Sequence, residues 1–475
     1  MQNFFRLGLF SGLLLLGACS SHQVITDNVI KQLQNDNIEE KTLQKLEVAE
    51  SSNDYLLFTQ ELSRVYFINN DIDKSLAYGK KSTDYYNKVD QQAILNATSV
   101  SGTLLASTFG SDNNITYTGS DYERALDYFY SSLNYLKKND INSALIDIRA
   151  AADIQKLSAV KREARIAKAQ KEVSSKNNYT LSADTKKVID ENARIIADSQ
   201  NSFLNAYIYY LSGNIRELSG DFGGALVDYK LALNVNPNNP YVISDSLRLA
   251  KNIDSSYYQT LKQSNIKETT NYNKKATVIV VYEQGFIPAK EQIKGTTWLP
   301  NGSFYTIALP VYHKSEIKPS RVLINLFTNS GESQSAKMEV IADLYKLAQN
   351  DLAEKYPFIV ARQVSRAVSK GAMQAVGQNQ MDDNAGLGLL MYGVGSISSV
   401  LETADTRSFR VLPHFVQVAK LDSTSSINKI QISVNSNRNL EISDIFVNVG
   451  ETAIVYVIDT NNYIYAKVIY QSKKV

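Results

Sequence analysis

The 475-residue chain holds one cysteine, Cys19, so no intramolecular disulfide can form and no cysteine cluster can bind a metal. Histidine is almost as scarce: His22, His313 and His414 are the whole supply, and none has a partner at metal-ligand spacing. Neither His313 nor His414 has a nucleophile elbow near it, so a Ser-His-Asp triad has no local support, and each reads as a surface or packed histidine. No glycine-rich loop leads into Lys-Ser or Lys-Thr; Gly-Asp-Phe-Gly-Gly at 220–224 is a turn sequence. An excess of one charge is missing too. Lys+Arg number 50 against 48 Asp+Glu, which leaves no field to draw the chain onto nucleic acid. Prolines number only 8 and glycines 22, whereas tyrosines number 29, a balance that favours packed helices with amphipathic, wet tyrosine surfaces.

What is there begins at the N-terminus. Arg6 supplies a short basic region, and Leu7, Leu9, Phe10 and the run 13–16 form an apolar core. That core is too short to remain as a transmembrane helix. Gly17 and Ala18 then precede Cys19. Leu16-Gly17-Ala18-Cys19 resembles the lipobox of bacterial lipoproteins. The resemblance implies cleavage before Cys19, acylation of its thiol and new amino group, and a durable membrane anchor. Ser20 and Ser21 follow where an aspartate would favour inner-membrane retention, so by the same analogy the outer membrane is expected. The periplasmic side is the first expectation, and exposure on the surface stays open.

Residues 1–18 thus read as a signal peptide and 19–50 as a polar tether running into a first helix. Two amphipathic helices are expected between Asp54 and Lys88, parted by Asn69-Asn70-Asp71. Residues 98–120 read as a loop or a membrane-proximal turn. A helix from Asp121, a turn at 138–140 and a second helix from Ala144 follow. The charged stretch 154–173 reads as a solvated helix, with 176–182 as the tip of a hairpin. At 206–239, Tyr209, Gly213, Gly220, Asp221, Ala225, Tyr229, Ala232 and Pro237 fall at tetratricopeptide spacing. Small residues let two helices approach, tyrosines fill the gaps, and Gly220-Asp221 turns the chain. Tyr128, Ser132, Tyr135, Asp140, Ala144 and Ala151 hold equivalent places in a second unit. Ser63, Tyr66, Asp71, Ser75 and Ser82 do so in a weaker third. The irregular spacing of Asp71, Asp140 and Asp221 implies insertions between the units.

In such repeats the first helix lines the concave face, where Tyr207, Tyr210, Asn214 and Glu217 would point. They suit a peptide partner if the face is open. If the insertion before this unit or the C-terminal region covers them, they are core.

After about residue 270 the composition turns β-branched. Strands are expected at 277–282, 304–309, 322–327, 409–418, 429–434, 442–449, 452–458 and 464–469. A helical block is expected at 336–376, interrupted at Pro357. The uncharged, glycine-rich run 385–401 reads as buried core, with membrane or partner contact as the alternative. Asp405 and Arg407 are the most prominent polar pair. Asp405 could cap a turn while Arg407 bridges loop to sheet, or both could touch a ligand or partner. The expected fold is α+β: an all-α, tetratricopeptide-like repeat domain at 51–265, then an α+β domain at 270–475 with a mainly antiparallel sheet.

Several stretches carry a further likeness. Tyr122-Glu123-Arg124-Ala125-Leu126, Tyr282-Glu283-Gln284-Gly285, Ile307-Ala308-Leu309-Pro310, and Ala404-Asp405-Thr406-Arg407-Ser408-Phe409 with Leu412-Pro413 occur in this order. In that order the chain resembles a family of uncharacterised Gram-negative envelope lipoproteins with tetratricopeptide repeats. Phe409 stands where the family pattern usually has tryptophan. The resemblance implies a location and an architecture, with no established activity. Family members lie near genes for other envelope lipoproteins, including peptidoglycan-synthase activators. The expected role is therefore a protein- or peptide-binding scaffold in envelope assembly or maintenance. The alternatives are an activator of a peptidoglycan synthase, an accessory to outer-membrane export, and, more remotely, a cell-wall hydrolase. No cofactor, metal or nucleic acid is expected.

Overall fold

The computed structural model describes residues 21–95, 115–174, 180–181, 204–263, 275–298, 304–380 and 402–472, with scattered positions between 183 and 194. Cys19 and the run 385–401 lie outside the described residues.

Helices come first and sheet follows, as the composition implies. Helix α1 (Ser21–Gln34) is succeeded by a short α2 (Glu40–Leu43), and then by α3 (Tyr55–Ile68), α4 (Ile72–Leu95), α5 (Asp121–Lys137), α6 (Ile141–Ser174), α7 (Ala206–Leu218), α8 (Phe222–Val235), α9 (Pro240–Ile253) and α10 (Ser255–Lys262). Consecutive helices pack as hairpins, and neighbouring hairpins stack on one another in chain order.

Three of these hairpins turn in the same way. Asn70, Asn139 and Gly220 each end a first helix in the left-handed region, at φ 62°, 59° and 84°. The next residue is an aspartate each time. Its N–H reaches back to close the helix, from Asp71 to Tyr66, Asp140 to Tyr135 and Asp221 to Arg216. Its carboxylate then caps the second helix, accepting from the N–H of Lys74, Ser143 and Gly224. Small residues bring the helices together. Ser63 and Ser75 exchange hydroxyl-to-carbonyl bonds, Ser132 donates to the Ala144 carbonyl, and Tyr229 lies on Gly213.

Helix α3 departs from the amphipathic expectation. Every residue from Leu56 to Ile68 is buried, because α1, the other helices and the sheet cover it on all sides. The expected tether departs as well. Helix α1 docks onto the body, burying Val29 and Leu33, with Thr26 donating to Glu61 and the Arg410 guanidinium reaching Asp27.

The strands form a three-layer arrangement with the helices. A five-stranded sheet runs in the order β12-β11-β2-β8-β7 (Ile464–Gln471, Thr452–Asp459, Ala276–Gln284, Phe415–Ser423, Glu339–Asp343). Its pairings are antiparallel except β11 with β2, which is parallel. A four-stranded sheet, β10-β9-β5-β6 (Arg438–Ile442, Ile427–Val434, Val322–Thr328, Ser333–Lys337), packs on one of its faces, and the helices pack on the other. Alternation in β2 serves both faces. Val278, Val280 and Tyr282 meet the second sheet, while Ile279, Val281 and Glu283 meet the helices. The core therefore runs unbroken across the composition change near residue 270.

A third sheet joins β1 (Thr180–Leu181), β3 (Glu291–Trp298) and β4 (Phe304–Val311). The hairpin tip expected at 176–182 thus contributes a strand. Helix α11 (Leu344–Gln380) lies against β4 and α6. Two expectations fail here. The start of the expected helical block, 336–343, is the end of β6 and then β7 instead of helix. Pro357 sits inside α11 without ending it, because Leu352, Tyr356, Val360 and Val364 pack on Ile307 and Leu309 on both sides of the proline. Tertiary burial there outweighs the lost backbone bond. The strand expected at 409–418 begins only at Phe415. Pro413 cannot donate to a ladder, and Phe409, Val411 and Leu412 are used as buried plugs. Past Ile442, which ends β10, residues 443–449 form no strand beyond a bridge between Val447 and Ile427. No helix among the described residues is long and apolar enough to cross a membrane.

Candidate functional site

The helical and sheet layers meet through two buried polar nodes. Glu283, on the helix-facing side of β2, pairs with Arg64 of α3 and accepts from the hydroxyls of Tyr130 (2.8 Å) and Tyr456 (2.5 Å). Tyr456 also bonds Tyr207. Burial alone would weaken the Arg64 charge, but Glu283 holds its pKa above the ordinary range. Lys467 bonds the Phe67 carbonyl and lies 3.8 Å from the centre of the Phe67 ring. Burial pushes that ammonium well below its usual value.

In the second node, Lys420 of β8 donates to both oxygens of Asp245 at 2.8 and 2.9 Å and to Asn214 at 3.1 Å. Arg248 bonds Glu217 at 2.6 Å and Asp245 at 3.1 Å. Tyr210 donates to Asp245 and Tyr229 to Glu217.

These nodes decide the concave-face residues. Tyr207, Tyr210, Asn214 and Glu217 are not an open binding surface. They are buried, at 0%, 0%, 1% and 6% exposure, because the five-stranded sheet and α9 fill the face. Each side chain finds a protein partner within the chain, so this face is not open to a binding partner. The tyrosines at the two nodes behave likewise: Tyr130, Tyr207, Tyr210, Tyr229 and Tyr456 are buried with bonded hydroxyls, and burial raises each well above its usual value.

A different place gathers the motif residues. A cavity of about 230 Å³ is lined by Glu123, Lys290, Pro310, Tyr312, Asp351, Lys355, Asp405 and Ser408, among others. Glu123, Pro310, Asp405 and Ser408 come from three of the four stretches singled out in the sequence, nearly 300 positions apart at the extremes. The exposed Thr116 and Thr118 also line the cavity.

Each carboxylate at the cavity is held. Glu123, at the third position of α5, accepts from the Ser120 N–H (2.9 Å), the Tyr117 hydroxyl (2.7 Å) and the Phe409 N–H (3.3 Å). Burial still raises its pKa. Asp351 takes the Ser120 hydroxyl at 2.7 Å and the Lys355 ammonium at 2.9 Å. Burial opposes the Lys355 charge, yet Asp351 raises its pKa.

Asp405 receives a two-point clamp from Arg407, 2.9 Å on each oxygen, and a bond from the Arg407 N–H. Burial would raise the Asp405 pKa, but the clamp holds it below the ordinary carboxylate range. The Arg407 guanidinium goes on to Asp54 (2.8 Å) at the start of α3 and to the Ile115 carbonyl (2.7 Å). Arg407 therefore ties its loop to the helical layer, where a bridge to the sheet had been expected. Asp405 does hold the turn, and its carboxylate also borders the cavity. Ser408, 2% exposed, has no hydrogen-bond partner for its hydroxyl among the described residues.

The histidines divide. His313 is exposed beside Glu291, and His414 is buried against Phe415, with burial lowering its pKa. No cluster of three or more metal-binding side chains occurs among the described residues. Ser120-Asp121-Tyr122-Glu123 carries a capping-box pattern that could have marked Glu123. Lys290 and Lys355 carry no local signal. Only the fold brings them to the site.

Comparison with protein-family models, curated proteins and solved structures yields no match to this chain.

Proposed function

We propose that this chain is a lipoprotein anchored through Cys19 in the outer membrane, facing the periplasm. It serves as a binding scaffold for a protein or peptide in envelope assembly or maintenance, and it acts by binding without catalysis. Its helical hairpins are proposed to be degenerate tetratricopeptide repeats, a reading supported by the three equivalent turns at Asp71, Asp140 and Asp221. Their concave face is occupied from within by the sheet, so they hold the C-terminal half in place and leave recognition to another surface.

The observation that carries the binding site is the convergence of Glu123, Pro310, Asp405 and Ser408 on one cavity. A concave site with aromatic walls and a few fixed polar groups is the usual form of a ligand pocket.

Two experiments test the reading. Cys19→Ser should leave the protein unprocessed or released from the membrane fraction, and wild-type fractionation of the mutant would refute the anchor. For the site, a photo-crosslinking residue at Thr116, on the cavity mouth, should capture a discrete envelope partner in intact cells. The same probe at Val160, 79% exposed on α6 and away from the cavity, should not. Identical products from both positions, or none from Thr116, would overturn the assignment. Capture of a wall synthase would narrow the role to that of an activator, and turnover of wall material by the purified protein would replace scaffold with enzyme.

A further inference from the structure

The cavity is lined by charge of both signs. Its lining carries three carboxylates (Glu123, Asp351, Asp405) and three cations (Lys290, Lys355, Arg362). Arg407, behind the wall, is shared between Asp405 and Asp54.

Lys290 is the lining cation whose charge is available. Lys355 is joined to Asp351, and both oxygens of Asp405 are taken by Arg407. Glu123 already receives hydrogen bonds at both oxygens. No carboxylate among the described residues comes within ion-pair distance of the Lys290 ammonium; Asp405 and Glu123 act on it only through space. Burial lowers the Lys290 pKa despite those two carboxylates. A half-buried ammonium without a direct counter-ion carries a desolvation cost, and an incoming anion would relieve it. Neutral donors line the same cavity. The Ser408 hydroxyl is buried and has the Tyr312 hydroxyl as its neighbour, which stays protonated because burial raises its pKa.

Size limits what can enter. About 230 Å³ is below the roughly 300–1,000 Å³ of pockets that enclose a drug-sized ligand. The end of a longer molecule fits, with the remainder outside past the exposed Thr116 and Thr118. The walls near the entering group, Tyr122, Leu352 and Ile359, are apolar or aromatic, which suits a short side chain better than a phosphate's hydration shell.

We propose that the cavity receives the C-terminal carboxylate of a peptide, with Lys290 as its charge partner and the Tyr312 and Ser408 hydroxyls as donors. This rests on the cavity being the recognition site, and it names the chemistry recognised there. Terminal carboxylates are captured elsewhere by convergent fixed donors, and a charge-assisted bond of this type contributes about 1.5–3 kcal/mol, on the order of tenfold or more in affinity.

The test uses the purified full-length protein in detergent and three probes: N-acetyl-Ala-Ala with a free carboxylate, the same dipeptide as its C-terminal amide, and inorganic phosphate. Saturation-transfer NMR reads dipeptide binding, and phosphorus line broadening reads phosphate. The acid should bind roughly tenfold or more tightly than the amide. Lys290→Gln should lose that preference, Lys290→Arg should largely keep it, and Ser408→Ala should weaken the acid alone.

Equal binding of acid and amide to the wild-type protein overturns the proposal, and that comparison needs no variant to fold. Phosphate binding without acid binding overturns it too. If Thr116 crosslinks a partner while acid and amide bind alike, the site stands and the carboxylate chemistry falls. If the acid is preferred and Thr116 captures nothing, the chemistry stands and the scaffold reading falls.

Discussion

Asp127 offers the sharpest test of the packing. It lies on α5, 3% exposed, and one of its oxygens accepts from Gln60 (2.8 Å) and Ser82 (3.0 Å). Burial pushes its carboxyl up to about 8, although both hydrogen bonds favour the charged form. The ordinary value is 3.8. The folded protein therefore holds a proton here that the unfolded chain releases above about pH 4.

The sign follows directly. Between about pH 4 and 8 the native state binds the extra proton, so stability falls with rising pH, by about 1.4 kcal/mol per pH unit from this group. Above about 8 the loss levels off, at roughly 6 kcal/mol in total. Asp127→Asn mimics the protonated acid: its amide oxygen can accept both bonds, and it does not titrate. Urea denaturation of both proteins at pH 4, 6 and 9 measures the difference. The variant should match the wild type near pH 4 and gain on it progressively, by several kcal/mol at pH 9. Parallel stability curves would refute the reasoning, since they would mean that Asp127 is solvated or charged in the native state.

Two further substitutions probe the other close contacts. Glu283→Gln removes the counter-charge of Arg64 and should cost about 3–5 kcal/mol in a denaturant titration, because the guanidinium stays buried unpaired; a loss below 1 kcal/mol would mean that water reaches the node. Gly213→Ala places a methyl 2.3 Å from the Tyr229 ring and should cost about 1–3 kcal/mol in thermal unfolding, whereas an unchanged midpoint would show that α7 and α8 have room to separate.

The local rules of the chain were legible; its long-range encounters were not. Asp71, Asp140 and Asp221 announced their turns because capping and left-handed closure involve residues within six positions. Strands β2, β5, β9, β11 and β12 were readable from β-branched runs. Strand β3, with Lys294 and Gly295, had no such run, and its ladder comes from β4. Helix α3 looked amphipathic because Gln60, Glu61, Ser63 and Arg64 are polar. Their partners Asp127, Thr26, Ser75 and Glu283 are distant in sequence, and no periodicity can reveal a polar residue paired in a core. Likewise Tyr207, Tyr210, Asn214 and Glu217 were correctly placed on one face, but sequence spacing says nothing about what covers a face. At the cavity, Asp405 and Arg407 stood out by themselves. Lys290 acquires its meaning only when three separate stretches fold around it.

The docking of α1 has a mechanical consequence. The helix begins at Ser21, and its far end is fastened to the sheet, with Gln34 bonding the Thr460 carbonyl and Tyr465 the Leu33 carbonyl. If lipid is attached at Cys19, Ser20 is the single residue between the anchor and the helix. Two peptide steps reach at most about 7 Å, about the depth of the headgroup layer. Such a molecule is a mast bolted to the deck, not a balloon on a string. It would sample one narrow range of heights and tilts above the bilayer and could not swing out to search the periplasm, so a partner would have to come within that layer to meet it. Lengthening the linker, a change that leaves every folded contact intact, would alter which partners it can reach.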